Sequence, residues 1–248
     1  MRSTDASWEG NMMLGFGWAL LDAQTGENRP HSHLAHQISL SLVDSCSINA
    51  DRDLRLSPGE AVLIPATTVH RLTPSGAILR NLYVDPFFMG TRDLNKSVGL
   101  ERLSTAEANA LALVGSGNEA RKWMEGFLNR KGSSQIDPRL RSTLQRIEPG
   151  ATPSELAKAV GVSTTRMREI AVRDFGVPTT KLLQWLQVQR AIESFDQSHS
   201  VAAAAAAGGF SDQAHFTRRL VEWFGVTPSL GLAKIAITHP VRPALSGE

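Results

Sequence analysis

The sequence predicts an α+β chain, a strand-rich N-terminal part followed by an all-α C-terminal part with two helix-turn-helix units. Three observations predict it. First, one device is written twice near the end, as Gly161-Val162-Ser163 running to Phe175-Gly176-Val177 and as Gly209-Phe210-Ser211 running to Phe224-Gly225-Val226. A helix, a glycine turn and a second capped helix, repeated at this interval, is the sequence form of two helix-turn-helix units. Second, the stretch up to about Val84 is made of short apolar runs separated by turn residues. Third, the net charge of +2 divides unevenly: residues 1–137 hold 13 basic against 15 acidic side chains, residues 138–248 hold 13 against 9. The basic excess therefore lies with the helical part, where a polyanion partner would want it.

The strands come first. Ile38–Leu42, Val62–Ile64 and Ile78–Val84 are apolar or alternating, and Pro58-Gly59, Pro65 and Pro74-Ser75-Gly76 punctuate them; short strands between regular turns predict a small sandwich or barrel. From Ser104 the period becomes helical, with Leu103, Ala106, Ala110 and Leu113 on one face, then a break at Gly115-Ser116-Gly117, then Ala120–Leu128 with Trp123 and Phe127 one turn apart. Lys131-Gly132-Ser133-Ser134 reads as a flexible linker, and everything after Pro138 reads as helix.

Helix punctuation in that last part is strong. Thr152-Pro153-Ser154-Glu155 supplies a cap, a proline at the first helical position and a glutamate three residues after the cap, which is a capping box. Leu156, Ala157 and Val160 bury one face, Gly161 ends the helix and Ser163 caps the next, over Thr164 to Asp174, which buries Met167, Ile170 and Ala171. Thr164, Thr165, Arg166, Arg168 and Glu169 stay outside. Base edges are read by side chains of this hydrogen-bonding kind at the start of a recognition helix. In the second unit Ser200 caps an alanine-rich helix and Ser211 caps a helix with Phe216, Leu220 and Phe224 inward; Gln213, His215, Thr217, Arg218 and Arg219 face out. An amphipathic helix over Thr179–Gln197 joins the units, and Thr227-Pro228 opens a last short one.

Composition removes several classes. Cys46 is the single cysteine, so no intrachain disulfide and no cysteine-cluster zinc site can form. No apolar run nears the roughly 20 residues that span a bilayer, and the first residues lack a signal-peptide layout. A reducing cytoplasm is the expected location.

At the repeated units the chain resembles the DNA-binding domain of AraC/XylS-type bacterial transcription regulators, over about Pro138 to Ile235. The resemblance is most specific from Gly209 to Leu220 and at Phe224-Gly225-Val226-Thr227-Pro228-Ser229. It implies a seven-helix domain whose two units enter successive major-groove segments of duplex DNA. Departures from the pattern are Ala171, Ala204, Ala206, Gly208 and Gln187; small residues at packing positions predict a loosely packed second unit.

The N-terminal part carries the other chemistry. His31, His33 and Gln37 share one face if extended, His36 points the other way and is expected to be exposed, and His70 follows Pro65-Ala66-Thr67-Thr68-Val69. The spacing His31-x-His33-x3-Gln37 with Gly59-x5-Pro65-x4-His70 resembles the two cupin motifs, which implies a cupin-like barrel, with Thr67 where glycine is usual. Those four residues are the candidate effector site. They are also candidate ligands for a divalent transition metal, with Gln37 where a carboxylate is usual, or a polar cluster inside the barrel, and the effector-pocket reading is put first. Whether Arg80 and Tyr83 join them is left open by the sequence, and Trp8, Phe16, Trp18, Phe87 and Phe88 are expected to pack in the core or a lid.

These readings give a cupin-like sensing and dimerisation domain at residues 1–100, a helical dimerisation segment and linker at 101–137, and a DNA-binding domain at 138–240. The function they imply is a non-enzymatic, effector-responsive transcription regulator. Its expected partners are double-stranded DNA, a small-molecule or metal effector, a second copy of the chain and RNA polymerase, with no membrane. The alternative is a metal-dependent cupin oxygenase or isomerase with a helical appendage, in which the recognition-helix residues would have no role.

Overall fold

A computed structural model describes residues 7–88, 91, 94, 97–132 and 136–239. Nine strands come first, interleaved with tight turns: β1 (Glu9–Gly15), β2 (Trp18–Gln24), β3 (His36–Ser41), β4 (Cys46–Asn49), β5 (Leu54–Leu56), β6 (Ala61–Ile64), β7 (Arg71–Thr73), β8 (Ile78–Val84) and β9 (Glu101–Arg102). Helices follow: α1 (Thr105–Ala112), α2 (Gly117–Lys131), α3 (Pro138–Arg146), α4 (Pro153–Val160), α5 (Thr164–Phe175), α6 (Thr179–Ser198), α7 (Val201–Ala207), α8 (Gln213–Phe224) and α9 (Pro228–Gly231). A tenth strand, β10 (Lys234–Thr238), closes the described chain. The predicted linker reaches Ser133 and Ser134, which lie outside the described residues.

A seven-stranded sheet in the order β10-β1-β2-β8-β3-β6-β9 is faced by a three-stranded sheet, β5-β4-β7. Both faces of the large sheet are covered, and strand alternation sorts its residues between them. On one face Trp18, Leu20, Ile38, Leu40, Leu63 and Leu82 meet Ala108 and Leu111 of α1 and Met124 and Phe127 of α2. On the other, Leu21, Val62, Ile64 and Leu79 meet Ile48, Leu56 and Leu72 of the small sheet. The first helix pair thus packs on its own sheet. Its buried face is Ala108 and Leu111, whereas Ala106, Ala110 and Leu113 of the expected face are exposed.

Arg80 settles on the helix-covered face. Its guanidinium binds Asp22 in fork geometry at 2.7 and 2.6 Å and donates to the carbonyls of Leu111, Ala112 and Val114, so it caps the C-terminus of α1. His36 also lies on that face and is buried, contrary to expectation; its Nδ1 accepts from the amide of Ala66. Every residue of β3 is buried, so neither face of that strand exposes a histidine.

The helical part keeps the expected punctuation. Thr152 and Glu155 form the capping box of α4, Gly161 ends it in the left-handed region, and Ser163 caps α5. Asp212, not Ser211, caps α8, accepting from the amide of His215. Ala204, Ala205 and Gly208 serve close approach, not looseness, whereas Ala206, expected at a packing position, is exposed. Ala204 and Ala205 are buried, and a Cβ on Gly208 would stand 2.6 Å from the Gln187 carbonyl and 2.9 Å from Ala191 Cβ. Only the smallest residues let α7 lie this near α6, and Gln187 itself donates to the Gly209 carbonyl.

β10 corrects the all-helical reading after Pro138. Lys234–Thr238 pairs in parallel with β1, from Glu9↔Lys234 to Met13↔Thr238, and buries Ile235 and Ile237 on alternate positions. The end of the helical part is thereby sewn into the N-terminal sheet, and the amide of Trp8 adds a bond to the Leu230 carbonyl.

Candidate nucleic-acid interface and effector site

The first-unit candidates Thr164, Thr165, Arg166, Arg168 and Glu169 are all exposed on the first turns of α5, because Met167 and Ala171 take the buried side of the 3.6-residue period. Arg166 and Glu169 pair with each other at 2.8 Å, while Arg168 has no ion-pair partner among the described residues. On α8, Gln213 and Arg218 are exposed, and His215, Thr217 and Arg219 are half-buried. His215 is steadied by Ser211 Oγ at 3.2 Å and by the edge of Phe210, and Arg219 pairs with Glu222. The inward face of α8 is Phe216, Leu220 and Trp223; Phe224, expected with them, points elsewhere.

Phe224 points at the histidines. Its ring stacks on His33 at 5.7 Å and on Trp185 of α6 at 5.6 Å, with Tyr83 at its edge. The next residue, Gly225, accepts a hydrogen bond from the Arg29 amide at its carbonyl. It has φ +69°, and a Cβ there would fall on the Arg29 carbonyl oxygen and within 2.9 Å of His31 Nδ1. The helix that offers Gln213 and Arg218 at its start therefore ends on the histidine cluster. At about 1.5 Å per residue Phe224 lies roughly 16 Å along the helix from Gln213 and roughly 9 Å from Arg218.

His31, His33, Gln37 and His70 do come together. The backbones of His31 and His70 bridge each other, and one ring nitrogen from each of the three histidines lies within 4.8 Å of the others. Each Nδ1 faces a backbone carbonyl, of Arg29, Ala35 and Thr68 respectively, which fixes the proton there and turns Nε2 inward as a lone pair. Gln37 Oε1 lies 3.0 Å from His33 Nε2 and 3.2 Å from His70 Nε2, while Gln37 Nε2 donates to Ser39 Oγ and Asn81 Oδ1. Burial holds all three imidazoles neutral, with His31 lowered to about 3 by burial first and by the charge of His70 second.

Three inward lone pairs and an amide oxygen fit a borderline divalent ion by donor type. The set supplies no negative charge to such an ion. With the Gln37 amide turned over, its NH2 would instead donate to both Nε2 atoms and satisfy the cluster without a metal. Thr67, where glycine is usual, has φ +64° in the turn before His70, the strained backbone a glycine would relieve.

Above the cluster the two halves enclose a cavity of about 90 Å³, partly open to solvent. Trp8, Trp18, Tyr83, Trp185 and Phe224 line it, so the expectation of core or lid packing for Trp8 and Trp18 is met with one side left free. At its wall stands Asp85, which the sequence reading passed over. Its carboxylate accepts from Trp185 Nε1 at 2.9 Å and from Gln189 Nε2, both on α6, and burial pushes it up to about 7. A lone carboxylate in the apolar run Val84-Asp85-Pro86-Phe87-Phe88 was the available signal.

The comparisons agree with this geometry. Residues 156–230 match a family model described as a helix-turn-helix domain. No curated protein sequence matches the chain. Among solved structures, ToxT from Vibrio cholerae O395 superposes with TM-score 0.55 at 11% identity, covering 91% of this chain and 96% of that one. An apo variant of ToxT from V. cholerae strain SCE256 gives 0.60 at 9%, covering 88% and 97%. ToxT of that strain bound to an unsaturated fatty acid gives 0.55 at 11%, covering 92% and 96%. The chain thus has an α+β fold like that of ToxT, and its C-terminal part is a helix-turn-helix domain of the AraC type.

Proposed function

We propose that this protein is a sequence-specific transcription regulator that holds duplex DNA through α5 and α8 and answers to an effector bound by its N-terminal domain. The observation that carries the reading is the pair of exposed helix starts, Thr164–Glu169 and Gln213–Arg219, on two units with matching caps and turn glycines. The joining helix α6 has 20 residues, about 30 Å, close to the roughly 34 Å between major-groove segments on one face of DNA. No helix of the described residues is long and apolar enough to cross a membrane, which agrees with work in the cytoplasm on DNA. A second copy of the chain and RNA polymerase are the further partners of this reading.

The enzyme alternative is disfavoured by what covers the histidines. A metal-dependent oxygenase or isomerase needs an open coordination position for substrate, and Phe224 lies stacked on His33 with Tyr83 beside it. If a divalent ion is held, His31, His33, His70 and Gln37 hold it, and it would polarise what it binds. Its use in a regulator is to fix the segment Arg29–His33 on which Gly225 rests. A ToxT structure holds an unsaturated fatty acid, which supports a small apolar molecule as effector of this chain too.

The reading is tested by footprinting on genomic fragments bound by the full chain. Two protected segments about one helical turn apart are expected. Binding without sequence preference would contradict it.

A further inference from the structure

The cavity between the halves has a chemical character that its walls define. Its lining is aromatic and aliphatic, with Met12, Leu14 and Leu21 on the sheet side and Trp185, Leu220 and Phe224 on the helical side. Among the described residues its lining holds no lysine or arginine, one histidine, His31, and one carboxylate, Asp85. Asp85 is fully buried, its two neighbours are the uncharged donors Trp185 and Gln189, and no ion pair forms on it among the described residues. A charge that acts on it is another acid, Glu193. A second polar group of the lining is also unmet: Trp8 Nε1 is buried and finds no acceptor among the described residues.

A buried carboxylate without a counter-charge is costly, and a cation placed against it removes that cost. Aromatic faces around the same space favour a cation further, most of all tryptophan. A second anion would meet repulsion from Asp85, and His31, the base of the lining among the described residues, is held neutral by burial. We propose that this cavity binds a small organic cation, an amine with an apolar body, whose ammonium group lies against Asp85 and whose body fills the space between Trp8, Trp185 and Phe224. An oxygen on that body would meet the free Trp8 Nε1. This ligand differs in charge from a fatty acid, and the effector class of this chain diverges accordingly from what the ToxT structure holds. The inference rests on the regulator reading only for its consequence: an amine that touches Trp185, Leu220 and Phe224 bridges the sheet to α6 and α8.

The test uses the full chain and three probes of matched size: 2-phenylethylamine, 2-phenylethanol and phenylacetate, followed by tryptophan fluorescence and thermal shift. The amine is expected to bind at least tenfold more tightly than either of the others, and Asp85→Asn to abolish that preference while the alcohol is unaffected. Met12→Trp, which fills the space and leaves Asp85 and its partners in place, is expected to block all three probes; it keeps the test decisive if Asp85→Asn does not fold. Phenylacetate binding as well as the amine, or amine binding unchanged in Asp85→Asn or Met12→Trp, would overturn the proposal. DNA binding is measured on the same samples. Intact DNA binding with no amine preference removes the ligand class alone, whereas loss of sequence-specific DNA binding in the unmodified chain removes the regulator reading.

Discussion

The two reading units are built to one plan and end differently. In both, a serine or aspartate caps the reading helix, and a glycine in the left-handed region closes it, Gly176 with φ +70° and Gly225 with φ +69°. A Cβ on Gly176 would meet nothing within 4 Å, whereas one on Gly225 would strike the backbone of Arg29 and the ring of His31. The first unit therefore ends in open space and the second ends on the histidine cluster of the N-terminal sheet. Repetition supplied two helix-turn-helix units, and only the second touches those histidines.

The largest effect that separates the units comes from filling those two glycines. Alanine at either position takes on about 1–2 kcal/mol of left-handed strain. Gly225→Ala adds a backbone clash of about 1–3 kcal/mol more, so chemical denaturation is expected to show it less stable than Gly176→Ala, with new protease cuts near Arg29. Equal losses would mean that the second unit is no more attached than the first. Next come Arg168→Ala and Arg218→Ala, each expected to weaken binding to the cognate site by about 1–3 kcal/mol if it contacts a base. A titration in which both leave affinity unchanged would remove them from the reading surface.

Whether the attachment point takes a metal is a smaller question with a clear sign. Gln37→Glu supplies the missing negative charge and is expected to raise affinity for a divalent ion about tenfold or more, while His70→Ala abolishes it; calorimetry with Zn2+ or Ni2+ measures both. A further effect is a pH dependence. Burial raises Asp85 to about 7 in the folded chain from 3.8, so the folded state binds the extra proton between those values. Its contribution is fully present below about 3.8 and is lost as pH rises to about 7. Asp85→Asn removes this dependence, so the variant should gain stability relative to the unaltered chain from pH 4 to 7 in parallel melts. A difference that runs the other way would mean that Asp85 is ionised in the docked state.

How far these features were legible follows from the range of the interactions behind them. The caps, the turn glycines and the buried faces of α4 and α5 are set within a few residues, and the sequence displays them. β10 was not read, although Lys234-Ile235-Ala236-Ile237-Thr238 alternates as a strand should, because its partner β1 lies more than 220 positions away in the chain. Phe224 was assigned to the inward face by helical period; the helix turns Trp223 inward and frees Phe224 for His33, a choice made by the other domain. His36 failed for a related reason: alternation gives the opposite face, but not that α1 and α2 cover it. The histidine cluster was legible by motif spacing, whereas Asp85 acquires its meaning only when α6 brings Trp185 and Gln189 onto it.

The central claim is that α8, and not α5, is clamped to the segment that carries His31 and His33. Hydrogen exchange of the full chain against Gly225→Ala tests it directly. The account predicts faster exchange in the C-terminal turn of α8 together with residues 29–33, and no change in α5. Equal acceleration in α5 and α8, or none in residues 29–33, would contradict it.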